Sequence, residues 1–117
     1  MVHRKYTRTL GRLSSHRISM MRNMALSLFS KDRIETTRVR AQELSKFAEK
    51  LITLAKKDDL ASKRRVFTQL RNKDVARRVF DLAKAQYSNR NGGYTRIIKF
   101  KFRKGDSAPL VLLELVL

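Results

Sequence analysis

The chain has 117 residues, enough for one domain that buries a real core without disulfides or a structural metal. It has no cysteine, which excludes a disulfide framework and any thiolate metal site, and an ordinary globular apolar fraction of 42%, which argues against global disorder. Twenty-eight Lys and Arg face 10 Asp and Glu, a formal net charge of +18, and that much like charge opposes compaction unless a counter-charged partner offsets it.

Nucleic acid is the usual partner, because neutralising phosphates releases condensed counterions. Anionic membrane is the competitor. It needs a lipid anchor or a basic helix with a large apolar face, and the N-terminus is not a myristoylation signal. No apolar run reaches the ~18 residues of a membrane span. The start also lacks the roughly 7–15-residue apolar centre of a secretory signal. The expected location is cytoplasmic.

Residues 1–13 show neither helical nor strand periodicity, and Gly11 interrupts any helix. They carry Arg4, Lys5, Arg8 and Arg12 and no acid. The segment reads as a basic arm that orders on RNA; a loose terminal tail is the plainer alternative. Ser14 or Ser15 can cap a helix, after which Ile18, Met21, Ala25, Leu28 and Phe29 recur at helical spacing and predict one buried face ending near Ser30. Arg17, Arg22 and Asn23 fall off that stripe and are expected to be held rigidly for contact with RNA. Met20, Met21 and Met24 read as packing residues.

Arg33–Thr37 alternates like a short strand, and Thr37 is placed to cap the next helix, expected over 38–57. That helix has an Ala41, Leu44, Ala48, Leu51, Ala55 stripe, with Glu43 and Glu49 among Lys46 and Lys50 on an expected solvent face. Asp58-Asp59 and Asn72-Lys73-Asp74 each read as a break and a cap, giving helices over 60–71 and 75–86. Their basic runs, Lys63-Arg64-Arg65 and Arg77-Arg78, suit phosphate contact and solvated faces equally well.

A turn-rich loop at 87–93 ends in Gly92-Gly93, which permits positive φ and close backbone approach. The run 94–103 then alternates, with Ile98, Phe100 and Phe102 expected toward a core and Lys99, Lys101 and Arg103 away from it. After the turn Lys104–Pro109, the apolar run 110–117 predicts a covered last strand pairing back as a hairpin. The predicted fold is α+β in two layers. About four helices pack on a small three-stranded mixed sheet with a C-terminal antiparallel hairpin, residues 14–117 forming one domain beyond an extended arm at 1–13.

Catalytic and metal chemistry find little support. His3 and His16 are the only histidines, far short of a zinc set, and no Ser, His and acid are arranged as a nucleophilic triad. Gly92-Gly93 lacks the spacing of a phosphate-binding loop. No enzyme activity, cofactor, metal or small-molecule substrate is expected. The cationic ends suit phosphate and 2′-hydroxyl contacts, but composition alone does not choose RNA over DNA. Three helices between 38 and 86 allow a helix-turn-helix, yet the charge there is the most balanced in the chain. A helical DNA-binding or architectural protein is the alternative.

Several stretches carry a resemblance over nearly the whole length: HRK at 3–5, SSHR at 14–17, MMRNMALSL at 20–28, ETT at 35–37, LITLAKKDD at 51–59, GGYTRIIK at 92–99 and RKGDSAP at 103–109. In this order they resemble the bacterial-type large-subunit ribosomal protein family numbered seventeen. The resemblance implies a single-copy structural component, monomeric within the ribosome. It further implies binding to 23S rRNA near the nascent-chain exit, beside neighbouring large-subunit proteins. Val2 departs from the basic residue expected there, and the chain stops after Leu117 without a charged tail.

Residues and resemblance together give the expected RNA contacts. The first set is His3, Arg4, Lys5, Arg8, Arg12, Ser14, Ser15, His16, Arg17, Arg22 and Asn23. The second is Arg90, Gly92, Gly93, Tyr94, Arg96 and Lys99.

Overall fold

The fold is organised by a helix with a small-residue face. In a computed structural model that describes residues 14–117, with Ser14 described by its backbone alone, α2 (Arg38–Lys57) touches every other element. Around it lie α1 (Ser14–Lys31), β1 (Arg33–Thr37), α3 (Leu60–Leu70), α4 (Lys73–Ala85), β2 (Thr95–Phe102) and β3 (Pro109–Leu115). The expected arm at 1–13 lies outside the described residues. Ala41, Ala48 and Ala55 on α2 are buried and let neighbours approach closely, while Leu44, Leu51 and Ile52 fill the space between.

The helix ends follow local chemistry. The Asp59 carboxylate accepts from the Ser62 amide at 2.7 Å and the Asn72 side-chain oxygen from the Val75 amide at 3.0 Å, so both break-and-cap motifs work as the sequence predicts. Asn72 starts α4 at Lys73, two residues earlier than its apolar periodicity suggests. Thr37 occupies the N-cap position of α2, but its side chain makes no capping bond. α1 ends at Asp32, whose φ of 68° turns the chain into β1. Arg78 of α4 secures that corner: its Nε donates to the Phe29 carbonyl at 2.7 Å, and an Nη donates to the Asp32 carboxylate. A cation at a helix C-terminus is favoured by the helix dipole.

The sheet has the order β1-β3-β2 and is antiparallel throughout. The expected mixed sheet is therefore corrected. β1 and β2 run the same way, but β3 lies between them and no parallel pair forms. Val111, Leu113 and Leu115 of β3 are buried toward the helices, while Leu110, Leu112 and Glu114 alternate onto the other, uncovered face. Core packing is shared between layers: Leu28 and Phe29 of α1, Val66 and Leu70 of α3, Val79 of α4 and Tyr87 join the α2 stripe.

Three burial expectations are overturned. Ile18 belongs to the predicted stripe by spacing but is 45% exposed, because that stripe meets the rest of the domain only from Met21 onward. Glu43, expected on a solvent face, is buried at 6% exposure with Lys46 at 3.5 Å. Ile98, Phe100 and Phe102, expected in the core, are all exposed. β2 is an edge strand, and α2 runs alongside it so that Ser45 meets Thr95 while Arg38, at the start of the helix, lies beside Lys99. Ile98 pairs with Leu112 on the face away from the helices, the reverse of the expected phase, and no described helix lies beyond Arg38 to cover the outer half of β2.

These placements separate core from surface energetically. Phe29→Ala should lower unfolding free energy by ~3–5 kcal/mol in urea titrations, whereas Ile18→Ala should change it by less than ~0.5 kcal/mol. Equal effects would contradict the packing described.

Candidate nucleic-acid interface

The outward side of α1 is polar for a simple geometric reason. With Met21, Ala25 and Leu28 turned inward, the 3.6-residue period turns His16, Ser19 and Asn23 outward. These three line an open groove of ≈ 550 Å³ together with Met20, Met24 and Arg40 of α2. A second concavity of ≈ 500 Å³ shares Met20, Met24 and Arg40 and extends to Ser27, Lys31, Arg33, Ile34, Glu35 and Thr36. The two make one channel between α1, β1 and the start of α2. The α1 end contains no acid, and Glu35 is the one carboxylate lining the channel. Half-buried methionines form part of the wall, and most of the remaining lining is polar or cationic.

The expected contacts distribute unevenly over this surface. His3, Arg4, Lys5, Arg8 and Arg12 lie outside the described residues, as does the side chain of Ser14. Ser15, His16 and Asn23 are exposed, and the last two line the channel. Arg17 and Arg22 are half-buried instead, and neither lines it. The Nε of Arg22 is buried and finds no hydrogen-bond partner among the described residues. Arg40, Arg33 and Lys31 were missed by sequence reasoning. They stand among balanced charges in sequence, and only the docking of α1 against β1 and α2 brings them beside His16 and Asn23.

The second expected segment occupies a different part of the domain, since α1 does not touch β2. Tyr94 is 3% exposed, so its ring is not a free platform for a base. It packs edge-on against Tyr87 with centroids 5.0 Å apart, beneath the Lys56 ammonium at 5.2 Å. Its hydroxyl donates to the Arg90 carbonyl at 3.0 Å, and Lys56 Nζ donates to that same carbonyl at 2.5 Å. Burial pushes the Tyr87 phenol up from its ordinary pKa. Tyr94 thus fixes the loop rather than contacting solvent.

That anchoring leaves the Arg90 residue exposed and places Gly92 on a shallow cleft with Lys46 and Lys50. Gly92 and Gly93 have φ of 109° and 63°, a conformation that L side chains rarely adopt, while a Cβ at either would meet nothing within 4 Å. The turn therefore requires them for their φ, and no close approach among the described residues does. Arg96 is engaged across the sheet, its Nε donating to Glu114 at 2.9 Å, and Lys99 is exposed.

The β2–β3 turn is stiffened by charge. Arg103 Nε and Nη donate to the two Asp106 carboxylate oxygens at 3.0 and 2.5 Å, and the Ala108 amide donates to Asp106 at 3.2 Å. The Arg103 hydrogen bonds are the leading cause that holds the Asp106 carboxyl down to about 2. Lys104 follows directly, carried on a fixed turn. No group of three or more His, Cys, Asp or Glu able to hold a metal occurs among the described residues, and none of their helices is long and apolar enough to cross a membrane.

A folded-state pKa below the ordinary value near 3.8 means that the ionised Asp106 supports the turn above about pH 4, and that support fades as pH falls through about 2. The Arg103 Nε–H resonance should accordingly titrate with a midpoint near 2, and Asp106→Asn should abolish the transition. A midpoint near 4 would contradict the paired turn.

Comparison with known proteins identifies the family. The family model described as ribosomal protein L17 matches residues 20–116. The large ribosomal subunit protein bL17 of Fusobacterium nucleatum is 52% identical over 116 residues, covering 99% of this chain and 100% of that protein. The protein of the same name from Desulforudis audaxviator is 50% identical over 109 residues, 93% of this chain and 97% of its own length. That from Desulforapulum autotrophicum is 47% identical over 116 residues, 99% and 97% of the two chains. With the family model spanning most of the chain and relatives near half identity end to end, the chain belongs to the ribosomal protein L17 family.

Proposed function

We propose that the protein is a cytoplasmic structural constituent of the large ribosomal subunit and binds 23S rRNA electrostatically. The observation that carries this reading is the channel along α1, whose acid-free end joins His16, Ser19 and Asn23 to Arg40. Cations there draw in phosphate, while the imidazole, hydroxyl and amide suit phosphate and 2′-hydroxyl oxygens. Lys31 and Arg33 continue the positive wall.

Residues 1–13 act in this reading as an arm that orders on rRNA, adding Arg4, Lys5, Arg8 and Arg12 to the contacts held on the folded surface. Arg90, the backbone around Gly92-Gly93 and Lys99 form the second contact, with Tyr94 as the internal support of that loop. Neighbouring large-subunit proteins are the further partners. The role is positional, with no bond made or broken and no cofactor required.

Deleting residues 1–13 should weaken binding to 23S rRNA and flatten its salt dependence, and Arg40→Gln should reduce the slope of log K against log salt by about 1. Filter-binding titrations at several salt concentrations measure both. Unchanged affinity after the deletion would remove the arm from the mechanism. Binding that instead prefers duplex DNA and collapses when Lys63, Arg64 and Arg65 are neutralised would make the protein a duplex reader.

A further inference from the structure

The outer half of β2 leaves an aromatic surface with no internal purpose. Phe100 is 49% exposed and Phe102 is 73% exposed. Solvated phenylalanines on an edge strand favour association, and a protein that keeps them there without covering them usually has a use for the surface. The strand is irregular at this point: its register with β3 slips between Lys99 and Lys101, around Phe100. Such a bulge re-aims side chains, and bulges are over-represented at sheet edges and beside functional sites.

Phe100 and Phe102 line one cleft of ≈ 500 Å³ with Arg38, Lys99, Lys101, Pro109, Leu110 and Val111. It is more enclosed than the channel along α1, and no carboxylate lines it. The Lys101 ammonium sits 5.1 Å from the centroid of the Phe100 ring, so cation and aromatic face are already side by side. The N-terminus of α2 opens at the same place. Its first turn carries no acid and Thr37 provides no side-chain cap, so the positive end of the helix dipole adds to the three cations.

Two kinds of occupant would cover an apolar edge. A protein strand or side chain would gain from the phenylalanines but would have to bury Arg38 and Lys99, which have no carboxylate near them among the described residues, beside Lys101, whose partner Glu35 lies at 3.8 Å. A single-stranded nucleic acid meets both demands, with base faces for the rings and phosphates for the cations. We infer that this cleft holds an unpaired RNA base stacked on Phe100 or Phe102, its flanking phosphates met by Arg38, Lys99 and Lys101. The inference rests on the RNA-binding reading above and adds a shape requirement to it: at this corner the RNA must be unpaired, whereas the channel along α1 needs only phosphate.

The test uses the full chain, a short labelled oligo-uridine strand and a labelled RNA duplex of the same length, followed by fluorescence anisotropy at several salt concentrations. The F100L/F102L variant removes the aromatic faces and keeps the apolar bulk. It should bind the single strand roughly 5- to 100-fold more weakly, with duplex affinity and salt slope unchanged. F100Y/F102Y should restore single-strand binding, which controls for damage to the hairpin. If F100L/F102L binds the single strand as tightly as the unmodified chain while that chain keeps its salt slope, stacking is overturned and a protein occupant takes its place, with the electrostatic reading intact. If the unmodified chain shows no salt-dependent RNA binding at all, both fall.

Discussion

Most acids of this chain are engaged within its fold, and the 28 Lys and Arg far outnumber them. All ten carboxylates lie among the described residues. Asp32 takes Arg78 at the α1–α4 corner, Asp58 joins Lys63 of α3 to Lys84 of α4, and Glu114 takes Arg96 across the sheet. Asp106 closes the hairpin turn with Arg103, Asp59 caps α3, and Glu49 accepts from the Thr95 hydroxyl. Exposed pairs of this sort stabilise little singly, but they fix corners and ends. What remains outside these pairs among the described residues is a surface with a large excess of positive charge, which the proposed polyanion would offset.

The same internal order decides which cations lie together. α2 contacts every element, so its start and its end set two separate edges. At its start, Arg40 faces the α1 channel and Arg38 the β2 cleft. Toward its end, Lys56 fastens Tyr94 and the Arg90 carbonyl, which holds the glycine turn in place. The cationic surface is thereby spread over one long helix and its neighbours, and the proposed RNA contacts would be spread likewise, over a large folded surface more than in a single groove.

Most of the element order was legible in the sequence because the signals were local. Alternation from Arg33 to Thr37, the Ala-rich stripe of α2 and the Asp59 and Asn72 caps each act within a few residues, and the structure forms the elements they predict. Exposure was less legible, because it depends on what packs opposite. Period-2 alternation marked Phe100 and Phe102 for a core, but α2 begins beside Lys99 and covers nothing farther out. Ile18 has the right phase and no neighbour to bury it, and Tyr94, expected at the surface beside two glycines, is drawn inward by Tyr87 and Lys56. The α1 channel was half legible: His16 and Asn23 came from the sequence, while Arg33 and Arg40 joined them only through tertiary packing.

The central claim is that the unpaired positive surface, and not an apolar face or a base-specific helix, drives association. The direct measurement is the affinity of the full chain for 23S rRNA across a range of monovalent salt. Each phosphate neutralised contributes a slope of roughly −0.7 to −0.9 in log K against log salt, so a chain with a net charge of +18 should give a slope of several units. A slope near zero, with affinity retained at high salt, would contradict the account.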